Sequence, residues 1–220
     1  MLFAPGLLAS DAPRPSPLRS GIELASSDIR SMQKDDFANP GMLWVTRGEK
    51  LWNTPASTGG KACSACHAAA PAGMRGVATR YPAVDAQSGR LLNLEGRIDL
   101  CRSRHQKAEA YAHESEDRLA LAAYVAHQSR GMPVEIVLDA RNRPHFERGR
   151  SRYHERIGQM NLACTHCHDR NWGRTLLSQT ISQGHGNAYP AYGSPELVEL
   201  ELYLAWRGTG LAVETPGVRR

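Results

Sequence analysis

Aromatic residues are scarce: Phe, Trp and Tyr make up only 6% of the 220 residues. The chain is nevertheless 41% hydrophobic, enough to build a core. No stretch approaches the roughly 20 consecutive apolar residues of a membrane-spanning helix, so no membrane span is expected. Dense Lys/Arg runs are missing as well. The net charge of +5 and the pI near 9.1 therefore suggest an acidic partner surface or steered docking, not nucleic acid. Even the Arg-rich stretch from Arg141 to Arg156 is broken by His145, Phe146, Glu147, Tyr153, His154 and Glu155, and reads as a solvated helix face. The short apolar run Leu2 to Ala9 has no basic residues ahead of it, so it makes a weak targeting segment. Beyond Cys167 there is no further Cys, Met or Lys.

What is present is one pattern written twice: Cys63-Ser64-Ala65-Cys66-His67 and Cys164-Thr165-His166-Cys167-His168. C-x-x-C-H is the attachment signature of c-type haem. Two thiols at this spacing reach the two vinyl groups of one haem, and the following His supplies the proximal nitrogen to iron. Zinc is the alternative, but zinc knuckles pair at roughly 15–20 residues, and here 97 residues separate Cys66 from Cys164. A redox C-x-x-C would need a βαβ context, which neither copy has. Two covalently bound haem c groups are expected, held by Cys63, Cys66, Cys164 and Cys167 with His67 and His168 on iron. They would also supply the aromatic bulk that the side chains lack. Bacterial haem attachment takes place outside the cytoplasmic membrane, so the expected location is periplasmic.

The motifs sit in repeated surroundings. Gly48 lies 15 residues before Cys63, and Gly149 lies 15 before Cys164. Trp52 and Tyr153 match at the same offset of 101, and Leu119 to Val137 resembles Leu197 to Val213 around Tyr124 and Tyr203. A fixed period implies repeated structural units. Each unit reads as helix, haem motif, loop and closing helix, the order of a small class I cytochrome c domain. The fold class is mainly α, with two such domains in tandem. Residues 1–30 are a loose lead-in, 31–140 the first domain, and 141–220 a second, shortened one. Helices are expected from Ser26 to Met32, around Met42 to Trp52, from Leu94 to Gln106, and from Ser115, as cap, to Gln128. Pro71 to Asn93 reads as loop. From haem motif to closing-helix Tyr, the second unit is 22 residues shorter than the first.

The fifth cysteine, Cys101, lies 34 residues after His67, in the interval where a distal iron ligand would fall. It is read as the first iron's sixth ligand, against a buried free thiol or an intermolecular disulfide. Met74 and Met132 are rivals. His185 is a candidate for the second iron, against a surface His in a glycine loop. The four tryptophans are read as packing residues.

The chain resembles the SoxA family, the dihaem subunits of SoxAX cytochrome complexes of sulfur oxidation. The resemblance rests on both haem motifs, on Gly41-Met42-Leu43-Trp44, and on Asn93-Leu94-Glu95-Gly96-Arg97-Ile98 leading to Cys101. It rests also on the run from Ala123 to Pro133, on His168-Asp169 with Asn171-Trp172-Gly173, and on Leu200 to Arg207. It implies oxidative conjugation of thiosulfate to a carrier-protein cysteine, with a SoxX-like cytochrome subunit and a SoxYZ-like carrier as partners. It also implies that Cys101 ligates the first haem. The chain departs from the family after Tyr189-Pro190. There the family has a segment bearing its catalytic Cys, and this chain runs directly into Ala191-Tyr192-Gly193. The catalytic residue of this chain is therefore unknown.

Overall fold

Two pairs of crossing helices carry the fold, and each pair meets at a glycine. The computed structural model describes residues 15–189 and 197–218. Helix α2 (Met42–Asn53) buries Val45, Gly48 and Trp52, and α7 (Arg143–His154) buries Phe146, Gly149 and Tyr153. Both trios follow the i, i+3, i+7 spacing of one helix face, and they are related by the offset of 101 seen in the sequence. Helix α2 packs on α6 (Glu116–His127), and α7 packs on α9 (Val198–Arg207). A Cβ at Gly48 would lie 2.1 Å from the Ala120 carbonyl oxygen and 2.5 Å from Tyr124 Cβ. One at Gly149 would lie 2.0 Å from the Glu199 carbonyl oxygen. Both clashes are with backbone, which cannot swing aside. Gly48→Ala and Gly149→Ala should each destabilise the haem-loaded protein by about 2–3 kcal/mol. That lowers the midpoint of a thermal melt by roughly 5–10 °C; a control change at Gly21, whose Cβ would meet only Ser182 Cβ at 3.9 Å, should cost less.

Helix α6 is the centre of the molecule. Every residue from Arg118 to Ala126 is buried, so it is enclosed on all sides rather than lying on a surface. Ser115 stands at its N-cap position in extended backbone, as expected, but its hydroxyl makes no capping bond. Glu116 and Asp117 in the first turn complement the helix dipole and pair with Arg47 of α2. The only buried charge on α6 is Arg118, answered by Asp99 at 2.9 Å.

Helices α1 (Ser27–Lys34) and α5 (Leu94–His105) fall where expected. Ser26 Oγ accepts from the Ile29 amide, and Asn93 Oδ1 from the Gly96 amide at 2.9 Å. The stretch Pro71 to Asn93 is not plain loop. It holds the end of a short helix α4 (Ala70–Gly73), a 3-10 turn at Ala78–Arg80, and a hairpin. The hairpin pairs β1 (Ala83–Val84) with β2 (Leu91–Leu92). Two-residue strands are too short to show a period in sequence. The Arg-rich stretch is helical, but its Phe146, Gly149 and Tyr153 face is core, so only the remainder is solvated.

The lead-in is not loose where it is described. Gln183 Nε2 donates to the Pro17 carbonyl at 2.7 Å, and the Arg19 amide donates to Gln183 Oε1 at 2.7 Å. The expected boundary at residue 30 falls inside α1. The C-terminal stretch runs back along the first half: Val213 N donates to Met132 O and Val134 N to Leu211 O, each at 2.8 Å. Buried apolar residues of both halves consequently form one cluster. Among the described residues, no helix is long and apolar enough to cross a membrane.

Candidate haem sites

The first motif opens helix α3 (Ser64–His67). Trp52, at the end of α2, stacks obliquely on His67 with ring centroids 5.8 Å apart, and its Nε1 donates to the Ala68 carbonyl at 3.1 Å. Ala68 has φ +57°, so the chain turns sharply out of α3 directly after the His. Helix α5 reaches this motif through its C-terminal end: Gln106 Nε2 donates to Cys63 Sγ at 3.3 Å. Ser57 Oγ, in the loop before the motif, donates to the Gln106 and Lys107 carbonyls.

Cys101 lies on the same helix, between Arg97 and Arg104 at i−4 and i+3, and thus on one face with them. Both arginines are held by buried Asp85 of the hairpin, each at 2.9 Å. They hold the Asp85 carboxyl well below the usual carboxylate range, with help from Ser88. Burial pushes the Cys101 thiol up, and the Arg97 charge pulls it back. The Cys63 charge adds to the upward push. Cys101 thus lies on the helix whose C-terminal Gln106 touches Cys63 of the first motif. Met74 packs at the edge of the core and Met132 lies against Gly76.

The second motif forms α8 (Cys164–His168). His168 Nδ1 is 2.9 Å from the Ser182 carbonyl. A carbonyl can only accept, so Nδ1 carries the proton and Nε2 keeps its lone pair free for a metal. Behind the imidazole stands Gly184, at φ +62°. A Cβ there would lie 2.8 Å from His168 Cβ and 2.9 Å from the Tyr153 hydroxyl. Asp169, the next residue, accepts from Tyr153 OH at 2.8 Å and from Arg207 Nη2 at 2.6 Å. Burial pushes the Tyr153 phenol far up, so it stays a donor.

His185 is not the surface residue of one reading. It is partly buried, and its Nε2 is 2.6 Å from the Arg19 carbonyl. It adjoins the Ser182–Gly184 strap that backs His168. Burial lowers its basicity, partly offset by the Arg19 carbonyl.

These residues fit a c-type haem. All five cysteines are free thiols, so none is diverted into a disulfide. No group of three or more His, Cys, Asp or Glu among the described residues is arranged for a bare metal ion. A haem iron needs only one or two side chains, because the porphyrin fills its other four positions. Ser182, Asp169, Tyr153 and Arg207 were not singled out by sequence reasoning as parts of a site. The only signal was that Tyr153 matches Trp52 in the repeat and that Asp169 and Arg207 lie in the stretches of resemblance.

Comparison with known proteins agrees. Residues 47–134 match the family described as SoxA/TsdA, cytochrome c domain, which carries covalently bound haem c. The L-cysteine S-thiosulfotransferase subunit SoxA of Pseudaminobacter salicylatoxidans is 36% identical, over 98% of this chain and 87% of its own. That alignment runs over 248 positions against 220 residues here, so at least 28 of its positions have no counterpart in this chain. The SoxA of Paracoccus pantotrophus is 31% identical over 91% of this chain and 78% of its own. The crystal structure of SoxXA from P. pantotrophus superposes with a TM-score of 0.86 at 29% identity, covering 92% of this chain and 87% of that one. With both haem motifs, the helix pairs that frame them and relatives matched over nearly its whole length, the chain belongs to the SoxA family.

Proposed function

We propose that this chain is the dihaem subunit of a thiosulfate-oxidising system, serving the oxidative conjugation of thiosulfate to a carrier-protein cysteine. The observation that carries the reading is the pair of attachment motifs, each at the end of an equivalent helix crossing. Joining a thiol to thiosulfate through a new sulfur–sulfur bond releases two electrons, and two haem c groups supply two one-electron acceptors. Cys63 and Cys66 would hold the first haem with His67 on iron and Cys101 as its sixth ligand. Cys164 and Cys167 would hold the second, with His168 on iron. Two tandem units, roughly 31–140 and 141–220, each carry one haem. The location is periplasmic, where attachment occurs.

The partners are a SoxX-like cytochrome subunit and a SoxYZ-like carrier. The structural relative in a SoxXA complex supports the first. So does the exposure of Ile157, Met160, Leu162, Leu176 and Leu177, apolar residues on either side of the second motif. A second reading, dihaem electron transfer without transferase chemistry, is favoured by one observation: no Cys follows Cys167.

The haem count is tested by intact mass with haem staining of denaturing gels. The mature chain should carry the mass of two haems. An increment of one haem or none would refute the dihaem reading.

A further inference from the structure

The two units differ in how the residue after the proximal His is held. In the first unit Trp52 donates to the backbone carbonyl of Ala68. At the equivalent positions of the second, Tyr153 donates to the side chain of Asp169. The second unit adds a charge that the first lacks. Arg207, on closing helix α9, is the largest fully buried side chain among the described residues, with 1% of it exposed. Its counterpart by alignment of Tyr124 with Tyr203 is Gln128, the C-cap of α6, whose Nε2 donates to the Tyr124 carbonyl.

Burying a guanidinium is costly unless its donors are answered, and here they are. Arg207 Nη2 reaches Asp169 Oδ1 at 2.6 Å and the Gln183 carbonyl at 2.9 Å, and its Nε reaches the Gly184 carbonyl at 2.9 Å. The cation also lies over the Tyr153 ring, 4.6 Å from its centroid. Such a pair adds little stability over a hydrophobic filling of the same space. What it does add is position. Two of the three acceptors belong to the Ser182–Gly184 strap, and the third belongs to the residue next to His168. One side chain thus ties the strap and the motif helix to the same point. Between those ties lies the 2.9 Å contact from His168 Nδ1 to the Ser182 carbonyl.

We infer that Arg207 is a positioning residue for His168: it fixes the Ser182 carbonyl as acceptor of the His168 Nδ1 proton and so sets the donor strength of the second iron's proximal ligand. This rests on the proposed second haem at Cys164–His168. A hydrogen bond at Nδ1 makes the imidazole a stronger donor, which favours ferric iron. Loosening that bond should raise the potential of the second haem and leave the first unchanged.

The test is the charge-neutral double variant Arg207→Gln with Asp169→Asn, which leaves no unpaired buried charge to shift the potential by itself. The haem-loaded protein is titrated redox-wise and followed by electron paramagnetic resonance, which separates the irons by their different sixth positions. The expected result is two haems by mass, a higher midpoint for the second and the wild-type midpoint for the first. An unchanged or lowered second midpoint with both haems attached would overturn the inference. A single haem in the wild-type protein would instead sink the dihaem reading on which it stands. Should the double variant fail to mature, Tyr153→Phe removes one donor from Asp169 and no charge. It should move the same midpoint in the same direction by a smaller step, and no movement there would equally overturn the inference.

Discussion

Mixed with thiosulfate, its carrier protein and an electron-accepting cytochrome subunit, the 220-residue protein should leave conjugation near background. The bond to be made is between two sulfurs, so the reaction needs a thiolate as nucleophile, one also suited to binding iron. Five cysteines are available, and four are consumed by thioether bonds to haem in the proposed assignment. The fifth, Cys101, lies on α5 between two ion-paired arginines at the first motif, not at the second. Met has no ionisable thiol, and beyond Cys167 there is not even a Met. Removing a nucleophile from a working site commonly costs far more than any binding group, so the deficit should be on the order of 10³-fold or larger. His185 does not replace the missing sulfur, because an imidazole cannot form the sulfur–sulfur bond. The second iron should accordingly take up added cyanide or carbon monoxide readily. Inserting a Cys-bearing segment of family length between Pro190 and Ala191 should restore conjugation and slow that uptake. Normal conjugation by the unmodified chain would mean that another residue does the chemistry.

The second large effect is expected at Cys101. Cys101→Ala should abolish the low-spin thiolate features of the first haem in the electron paramagnetic resonance spectrum and raise its reduction potential. A thiolate donates charge to iron and stabilises the ferric state, and axial ligands spread haem potentials over roughly 0.8 V. A rise on the order of 0.1 V or more is expected for the first haem, with the second unmoved. The fold should tolerate the change. Cys101 is only partly buried, and the Asp85 clamp on Arg97 and Arg104 does not involve its sulfur. An unchanged spectrum would remove Cys101 from the iron and leave Met74 or Met132 as the candidate.

The haem motifs and their duplication were legible in the sequence because covalent attachment dictates residue types and spacing outright. The helix crossings were legible too, although only as an unexplained coincidence of Gly48 with Gly149 and Trp52 with Tyr153 at one offset. The structure supplies the reason: both glycines admit a backbone carbonyl at about 2 Å from where a Cβ would stand. Helix positions came through because α2, α5 and α6 carry caps or apolar faces that act within a few residues. The β1–β2 hairpin did not, because a two-residue strand has no period to detect. Nor did the pinning of Pro17 and Arg19 by Gln183, which joins residues more than 160 apart.

By itself, then, the sequence determined the cofactor chemistry, the two-unit plan and the want of a further sulfur after Cys167. All three are properties of residue identity and spacing, and no folding is needed to state them. Only the tertiary structure decided what stands around His67 and His168. Asp169 and Arg207 are 38 residues apart and meet because α9 packs across α7 at Gly149. Ser182 reaches His168 because Gly184, in the left-handed conformation, lets the strap lie against the imidazole. Contacts of this kind are made by side chains whose partners are chosen by packing rather than by distance along the chain, and no local pattern announces them.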